Sequence, residues 1–289
     1  SHTDVLDVRL KTDLQTPTPG STLVIIEVMA AALNPVDFKI RTIPTVGKMD
    51  DKAIGWDLSG KVVHAPPGCG FEAGDEVFGF SKRIGEKHGS VAQFVEADPR
   101  YLAKKPTSVS HIEAAMLPLA GCTALQSLRD HGKVKAGDNV LVIGGSGGTG
   151  MLGVQIAKIL GCKVTAICSA KNIPLVQGLG ADIVHAYDSP QGPMPTDIAD
   201  EDTFDCIFDT VTSPDNVDTD YEPIARPFLR TKRDPRTELD ASGLEVDVAG
   251  PGRDGIYVAI NSKSKWDWAF AIVAKYSGFL DLQRRNYKP

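Results

Sequence analysis

Val140-Leu-Val-Ile-Gly-Gly-Ser-Gly-Gly-Thr-Gly150 runs without a break into Met151-Leu-Gly-Val-Gln-Ile-Ala-Lys-Ile-Leu160. An apolar run, a glycine-rich turn and an amphipathic stretch in that order predict a buried strand, a tight loop and a helix. Gly145, Gly147 and Gly150 fit the G-x-G-x-x-G spacing. Each glycine has its own expected role. One supplies the positive φ of the turn, one lets a pyrophosphate approach backbone that carries no Cβ, and one lets helix and strand pack closely. Ser146, Gly148 and Thr149 complete the loop, and the unpaired N–H groups of the helix start would face the phosphates.

The surroundings support this reading. Leu152, Val154, Ile156, Ala157, Ile159 and Leu160 are spaced for a helix, and Gly161 stands where a C-terminal cap belongs. Lys163-Val-Thr-Ala-Ile-Cys168 then reads as a second buried strand, which completes a βαβ unit of about 30 residues. Dinucleotide binding is therefore expected rather than an accidental turn. NAD binders usually carry an acid about 20 residues past the glycines to hold the ribose 2′-hydroxyl. Here the strand ends in Cys168-Ser-Ala-Lys-Asn172, with no acid in the segment. Ser169 and Lys171 can donate to a 2′-phosphate, so NADPH is the expected cofactor. A solvated surface lysine is the alternative reading of Lys171.

The 289 residues suffice for two domains with their own cores. Apolar residues make up 42% and charged residues 24%, the balance of a globular protein. A formal net charge of −6 argues against a nucleic-acid partner or an anionic membrane surface. No apolar run is long enough to span a bilayer, and Ser1-His-Thr-Asp-Val-Leu shows no secretory signal. The five cysteines are scattered without a C-x-x-C pair, which suits a reducing compartment. A cytoplasmic location is expected, with an organelle reached through a removed transit peptide left open. Neither the cysteines nor the six histidines form a recognisable zinc ligand set.

The chain reads as two halves. Before the glycine loop, Leu23–Ala30, Gly60–His64, Asp75–Phe80 and Val91–Glu96 read as strands separated by Gly, Pro and Asp turns. That pattern predicts a compact, mostly antiparallel barrel over 1–118. Ser110 and Glu113 form an expected capping box. From 119 to 289 the reading is α/β: a helix over Ile173–Gly180, strands over Asp182–His185 and Phe204–Asp209, and a central strand over Gly255–Ile260. Thr212 to Asp254, crowded with charge, Pro and Gly, reads as an insertion around a helix from Tyr221 to Leu229.

Five segments in order resemble the medium-chain dehydrogenase/reductase superfamily. They are Ala32-Leu-Asn-Pro-Val-Asp-Phe-Lys39, Gly55-Trp-Asp-Leu-Ser-Gly-Lys-Val62, Gly74-Asp-Glu-Val-Phe-Gly79, Leu117-Pro-Leu-Ala-Gly-Cys-Thr-Ala-Leu125 and the glycine loop. Within the superfamily the chain is most similar to the zinc-independent quinone oxidoreductases and enone or alkenal reductases. The resemblance implies a chaperonin-10-like β-barrel followed by a Rossmann doubly wound parallel sheet, with the active site in the cleft between them. Zinc-dependent relatives carry a Cys near Asn34 to Asp37 and a His-Glu pair where Trp56-Asp57 stands here, so a metal-free mechanism is implied.

The resemblance also implies site residues. Gly148 and Thr149 would meet the pyrophosphate, and Ser169, Lys171, Asn172 and Tyr187 the adenosine phosphate. Val211, Ala259, Ile260 and Asn261 would line the nicotinamide, while Lys39 would reach the nicotinamide ribose and the substrate, with Asn34 beside it. Tyr187 can equally end a strand, and Asn34 can serve only the turn before Pro35. The implied partner is a small quinone or enone, and a homodimer is compatible with the resemblance. The resemblance implies a C-terminal return to the barrel after Arg285-Asn-Tyr-Lys-Pro289, so either a longer chain or a differently closed barrel is expected.

Three functions stay open at this point. The leading one is NADPH-dependent hydride transfer to a quinone or an α,β-unsaturated carbonyl, with no proton donor evident. The others are a cofactor-binding regulatory protein with little turnover and an enoyl-thioester reductase.

Overall fold

The computed structural model describes residues 10, 12, 15–20, 22–39, 54–81, 89–190, 192, 194, 203–212, 220–230, 237–239, 245–247 and 254–260. The chain divides into two compact units between Ala120 and Gly121.

The first unit is built on β1 (Val24–Ala32), β2 (Asp57–His64), β3 (Glu76–Phe80), β4 (Phe94–Ala97) and β5 (Leu102–Lys104). They form one antiparallel sheet in the order β4-β1-β2-β3-β5, an open ladder among the described residues. Val24, Ile26, Leu58, Val62, Val77, Val95 and Ala97 meet in a single buried cluster, the result of apolar residues recurring on one face of each strand. The short helix α1 (Pro35–Lys39) follows β1, and α2 (His111–Ala115) follows β5. The expected capping box is present: the Glu113 N–H donates to Ser110 Oγ at 3.2 Å, and the Ser110 N–H donates to Glu113 Oε2 at 2.8 Å. Strand β5 was missed in sequence because three residues leave too little alternation to read. Helix α3 (Pro118–Leu125) spans the division between the units.

The second unit carries β6 (Asn139–Ile143), α4 (Gly148–Ile159), β7 (Lys163–Cys168), α5 (Ile173–Gly178), β8 (Ile183–Ala186), β9 (Cys206–Asp209), α6 (Glu222–Ala225), β10 (Thr237–Leu239), β11 (Glu245–Asp247) and β12 (Ile256–Ala259). Five strands form a wholly parallel sheet in the order β12-β9-β6-β7-β8. Chain order reverses direction between β6 and β9. In open α/β sheets ligands bind outside the strand C-termini at such a switch point. Along β6, Val140 and Val142 enter one core cluster while Leu141 and Ile143 enter another, so a continuous apolar run serves a strand buried on both faces. Helix α4 ends as its sequence predicts: Cys162 N–H donates to the Ala157 carbonyl at 3.0 Å and Gly161 N–H to that of Lys158 at 3.0 Å, with φ 83° at Gly161.

Among the described residues β12, the segment read as a central strand, pairs with β9. Two expectations are corrected. The helix expected over Tyr221–Leu229 is α-helical only over Glu222–Ala225 and tightens to a 3-10 turn over Arg226–Phe228. Pro227 explains the change, since it has no N–H to give and its ring crowds the preceding turn. The strand expected from Phe204 begins at Cys206; Phe204 makes an isolated bridge with Leu229. Between the helix and β12, β10 and β11 pair antiparallel within the segment read as an insertion.

Phe208, on β9, is the largest of the fully buried side chains among the described residues and packs in the second unit's core. Phe208→Ala is expected to lower the unfolding free energy by about 3–5 kcal/mol. Urea unfolding of the two proteins measures it; a loss under about 1 kcal/mol would mean that the site refills by collapse.

Candidate functional site

The crevice at the switch point is lined by the residues that leave β6 and β9. The positive φ of the turn falls on Gly144, at 83°. This corrects the expectation that one of Gly145, Gly147 and Gly150 supplies it. Gly150 serves the packing instead, because a Cβ there would lie 2.0 Å from the Gly144 carbonyl oxygen and any side chain would push α4 off its strand. Around Gly148 a Cβ would meet nothing within 4 Å. The first helical bond of α4 is Met151 N–H to the Gly147 carbonyl at 2.8 Å, which leaves the N–H groups of Gly148, Thr149 and Gly150 ahead of it at the helix start. An open glycine cradle and aligned donors fit a dinucleotide pyrophosphate.

The loop is tied on both sides. Asn172 Nδ2 donates to Ser146 Oγ at 3.0 Å, joining the residues after β7 to the glycine turn. Ser169 is buried at the end of β7, and Lys171 lies in the short 3-10 turn Ala170–Asn172. Tyr187 is exposed, and its N–H donates to the Cys168 carbonyl at 3.0 Å. On the other side, Thr210 Oγ1 donates to the Ile143 carbonyl at 2.7 Å. Val211 Cγ2 would stand 2.6 Å from a Cβ on Gly144, so Val211 and the glycine loop are in contact. Ile260 N–H donates to the Asp209 carbonyl at 3.1 Å, which brings Ala259 and Ile260 to the same edge. Asn261 lies outside the described residues.

Asp209 organises this lip and was not identified from sequence. Fully buried, it accepts from Val211 N–H at 2.8 Å and Thr212 N–H at 3.0 Å with Oδ1, and from the Tyr257 hydroxyl at 2.5 Å with Oδ2. Burial, then the charge of Asp209, pushes the Tyr257 hydroxyl up, so Tyr257 stays a donor. The nearby Tyr221 is pushed up to about 12, again by burial first. An acid closing a buried strand is a signal that could have pointed to Asp209, since buried carboxylates require donors.

In the first unit, Asn34 and two acids form a second cluster. Asn34 Nδ2 donates to Asp57 Oδ2 at 2.8 Å, and its N–H donates to Asp37 Oδ2 at 2.7 Å. Leu119 N–H donates to Asp57 Oδ1 at 3.0 Å, and Gly55 N–H to Asp37 Oδ1 at 3.1 Å. Asn34 is therefore both a turn residue and the partner of a buried carboxylate. Lys39 is the last residue of α1; its side chain lies outside what the structure describes. Burial pushes the Asp57 carboxyl up to about 7, hydrogen bonds from Asn34 and Leu119 oppose the rise, and the charge of Asp37 adds to it.

A third constellation, Ser59, His111 and Glu76, has the appearance of a hydrolytic triad. His111 Nδ1 is 2.8 Å from Ser59 Oγ, and Nε2 is 3.4 Å from Glu76 Oε1. Ser59 is fully buried and its hydroxyl donates to the Val77 carbonyl at 3.0 Å, so no substrate can reach it. The cluster fastens α2 to the sheet. Among the described residues no three His, Cys, Asp or Glu side chains are grouped to hold a metal, and no helix is long and apolar enough to cross a membrane.

Residues 20–107 match the alcohol dehydrogenase GroES-like domain. The chain is 39% identical over 185 residues to a chloroplast envelope quinone oxidoreductase homolog of Arabidopsis thaliana, a match covering 61% of this chain and 56% of that one. A 2-methylene-furan-3-one reductase of Solanum lycopersicum is 36% identical over 230 residues, covering 73% of this chain and 56% of the relative. The chain belongs to the medium-chain dehydrogenase/reductase superfamily. Among solved structures, an alcohol dehydrogenase superfamily protein from Novosphingobium aromaticivorans aligns with TM-score 0.63 and 32% identity over 74% of this chain and 63% of that one. This superfamily member spans little more than half the length of the Arabidopsis and tomato relatives.

The carboxyl of Asp57 binds its proton more tightly in the folded protein than its ordinary value of 3.8 allows in the unfolded chain. The stability that Asp57 contributes is therefore fully present below pH about 4 and is lost as pH rises through about 7. The loss amounts to at most about 4 kcal/mol. Urea unfolding at several pH values is expected to show this decline in the wild type and a flatter profile in Asp57→Asn. Identical slopes for the two proteins would remove Asp57 from the pH dependence.

Proposed function

We propose that this superfamily member is an NADPH-dependent reductase that acts on quinones or α,β-unsaturated carbonyls without a metal. The observation that carries the proposal is the glycine cradle at the sheet's switch point, with Ser169, Lys171 and Asn172 beside it and no acid between Cys168 and Asn172. The names of the Arabidopsis and tomato relatives supply the acceptor class. When bound, the reduced nicotinamide supplies the hydride.

The remaining chemistry belongs to the chain. Gly148 and Thr149 hold the pyrophosphate through backbone N–H groups, while Ser169, Lys171, Asn172 and Tyr187 hold the adenosine phosphate. Val211, Ala259 and Ile260, fixed by the Asp209 hydrogen bonds, form one wall for the nicotinamide. Lys39 stabilises the oxyanion that develops on the acceptor, and Asn34 supports the same site. Metal-free chemistry is supported by the state of Asp57: both of its oxygens accept N–H hydrogen bonds, and Trp56 stands beside it in place of a ligand.

NADPH oxidation followed with a small quinone, an enal and an enoyl-CoA tests the reading. Turnover with the quinone or the enal supports it. Turnover with enoyl-CoA alone assigns an enoyl-thioester reductase instead, and tight NADPH binding without turnover on any of the three assigns a regulatory protein.

Lys171→Ala is expected to weaken NADPH by about 1–3 kcal/mol, the scale of a charge-assisted hydrogen bond, and to leave NADH nearly unchanged. Equal losses for both cofactors would make Lys171 a surface lysine.

Lys39→Met is expected to lower kcat and kcat/KM together, because an oxyanion forms only during the reaction. The upper bound is about 2.7–4 kcal/mol, the value of a well-placed oxyanion donor. Single-turnover reduction at saturating NADPH measures it, and an unchanged rate constant removes Lys39 from the chemistry.

A further inference from the structure

Along the chain no acid follows β7 before Asn172. Across the sheet one arrives. Strands β7 and β8 run parallel with Cys168 opposite Ala186, so the residues that leave the two strands emerge side by side. Tyr187 N–H donates to the Cys168 carbonyl at 3.0 Å. The next residue, Asp188, turns back over the end of β7, where its Oδ1 accepts the Ala170 N–H at 2.8 Å. Asp188 is exposed. Its charge is felt within the strand end: the Cys168 thiol is pushed up by burial first and by Asp188 second.

A phosphate placed at the Ser169–Asn172 turn would meet two obstacles. The backbone donor at Ala170 is already occupied, and a carboxylate is bonded to the residue that lies between Ser169 and Lys171. Both act against a dianion and neither acts against a ribose hydroxyl, which can donate to a carboxylate.

We propose that Asp188 is a specificity-determining residue, which opposes Lys171 and sets how strongly the site discriminates between phosphorylated and unphosphorylated nicotinamide dinucleotides. The inference rests on the reading that the Ser169–Asn172 turn holds the adenosine end of the cofactor. Asp188 reduces the preference for NADPH and keeps NADH usable.

The test is fluorescence titration of the full chain with NADPH and with NADH, for the wild type, Asp188→Asn, Lys171→Ala and the double variant. Asparagine keeps an oxygen for the Ala170 N–H and removes only the charge, so the cofactor-free melting temperature is expected to stay constant and report an intact turn. Asp188→Asn is expected to tighten NADPH by about three- to tenfold, the scale of like charges several ångströms apart near a surface. NADH is expected to hold or weaken. Added salt is expected to shrink the NADPH gain by screening.

No change in either affinity, or an equal gain for both cofactors, overturns the role of Asp188. If Lys171→Ala still weakens NADPH alone, that failure leaves the proposed adenosine site standing. A wild type that prefers NADH, converted toward NADPH by Asp188→Asn, supports the role of Asp188 and refutes NADPH as the working cofactor. Binding of neither cofactor refutes both.

Discussion

The second unit depends on one backbone approach, that of Gly150 to the carbonyl oxygen of Gly144. With no Cβ on Gly150 the first turn of α4 settles on the end of β6, where a methyl group would lie 2.0 Å from that oxygen. The helix start is thereby aimed into the crevice between β6 and β9, and its leading N–H groups have no partner within the helix. Gly144 makes the approach geometrically available, since its φ of 83° turns the chain sharply out of the strand. Thr210 and Val211 then close on the same glycine from β9. The result is a glycine cradle held by one backbone approach and by the side chains of Thr210 and Val211.

Two buried acids hold the two units' candidate residues in place, and they are satisfied to different degrees. Asp209 receives three donors, two from the turn it organises and one from the Tyr257 hydroxyl. It acts as a clamp that fixes Val211 and Thr212 without a flexible side chain between them. Asp57 receives two donors and sits near a second carboxylate, Asp37. There the cost of burying charge exceeds what the hydrogen bonds return, and the carboxyl holds its proton to near neutral pH. The Ser59–His111–Glu76 cluster shows the limit of reading chemistry from residue types: three residues of a triad lie together, yet the hydroxyl is enclosed and its proton is committed to Val77.

Much of the architecture was legible along the chain because it depends on short-range patterns. The β6–loop–α4–β7 unit, the capping box at Ser110 and the Gly161 cap each occupy a few consecutive residues, and propensity and periodicity act on that scale. Errors appear where a pattern is too short or a proline intervenes. Leu102–Lys104 offers too little alternation, and Pro227 ends a helix that the apolar spacing would continue. The double glycine at Gly144 and Gly145 obscured which of the two makes the turn, since the motif spacing marks Gly145 while the strand exit needs Gly144.

The sequence by itself determined the fold class, the glycine cradle and the family, because strand, turn and helix follow one another and their spacing carries the chemistry. Only the tertiary structure decided which acids support the candidate residues within each unit. Asp209 needs donors from a turn and from a tyrosine 48 residues away; Asp57 needs Asn34, 23 residues before it. Asp188 reaches Ala170 only because β8 lies parallel to β7. A charge acts through space over a few ångströms, whereas a motif is read along the chain, and strand pairing is what converts one distance into the other.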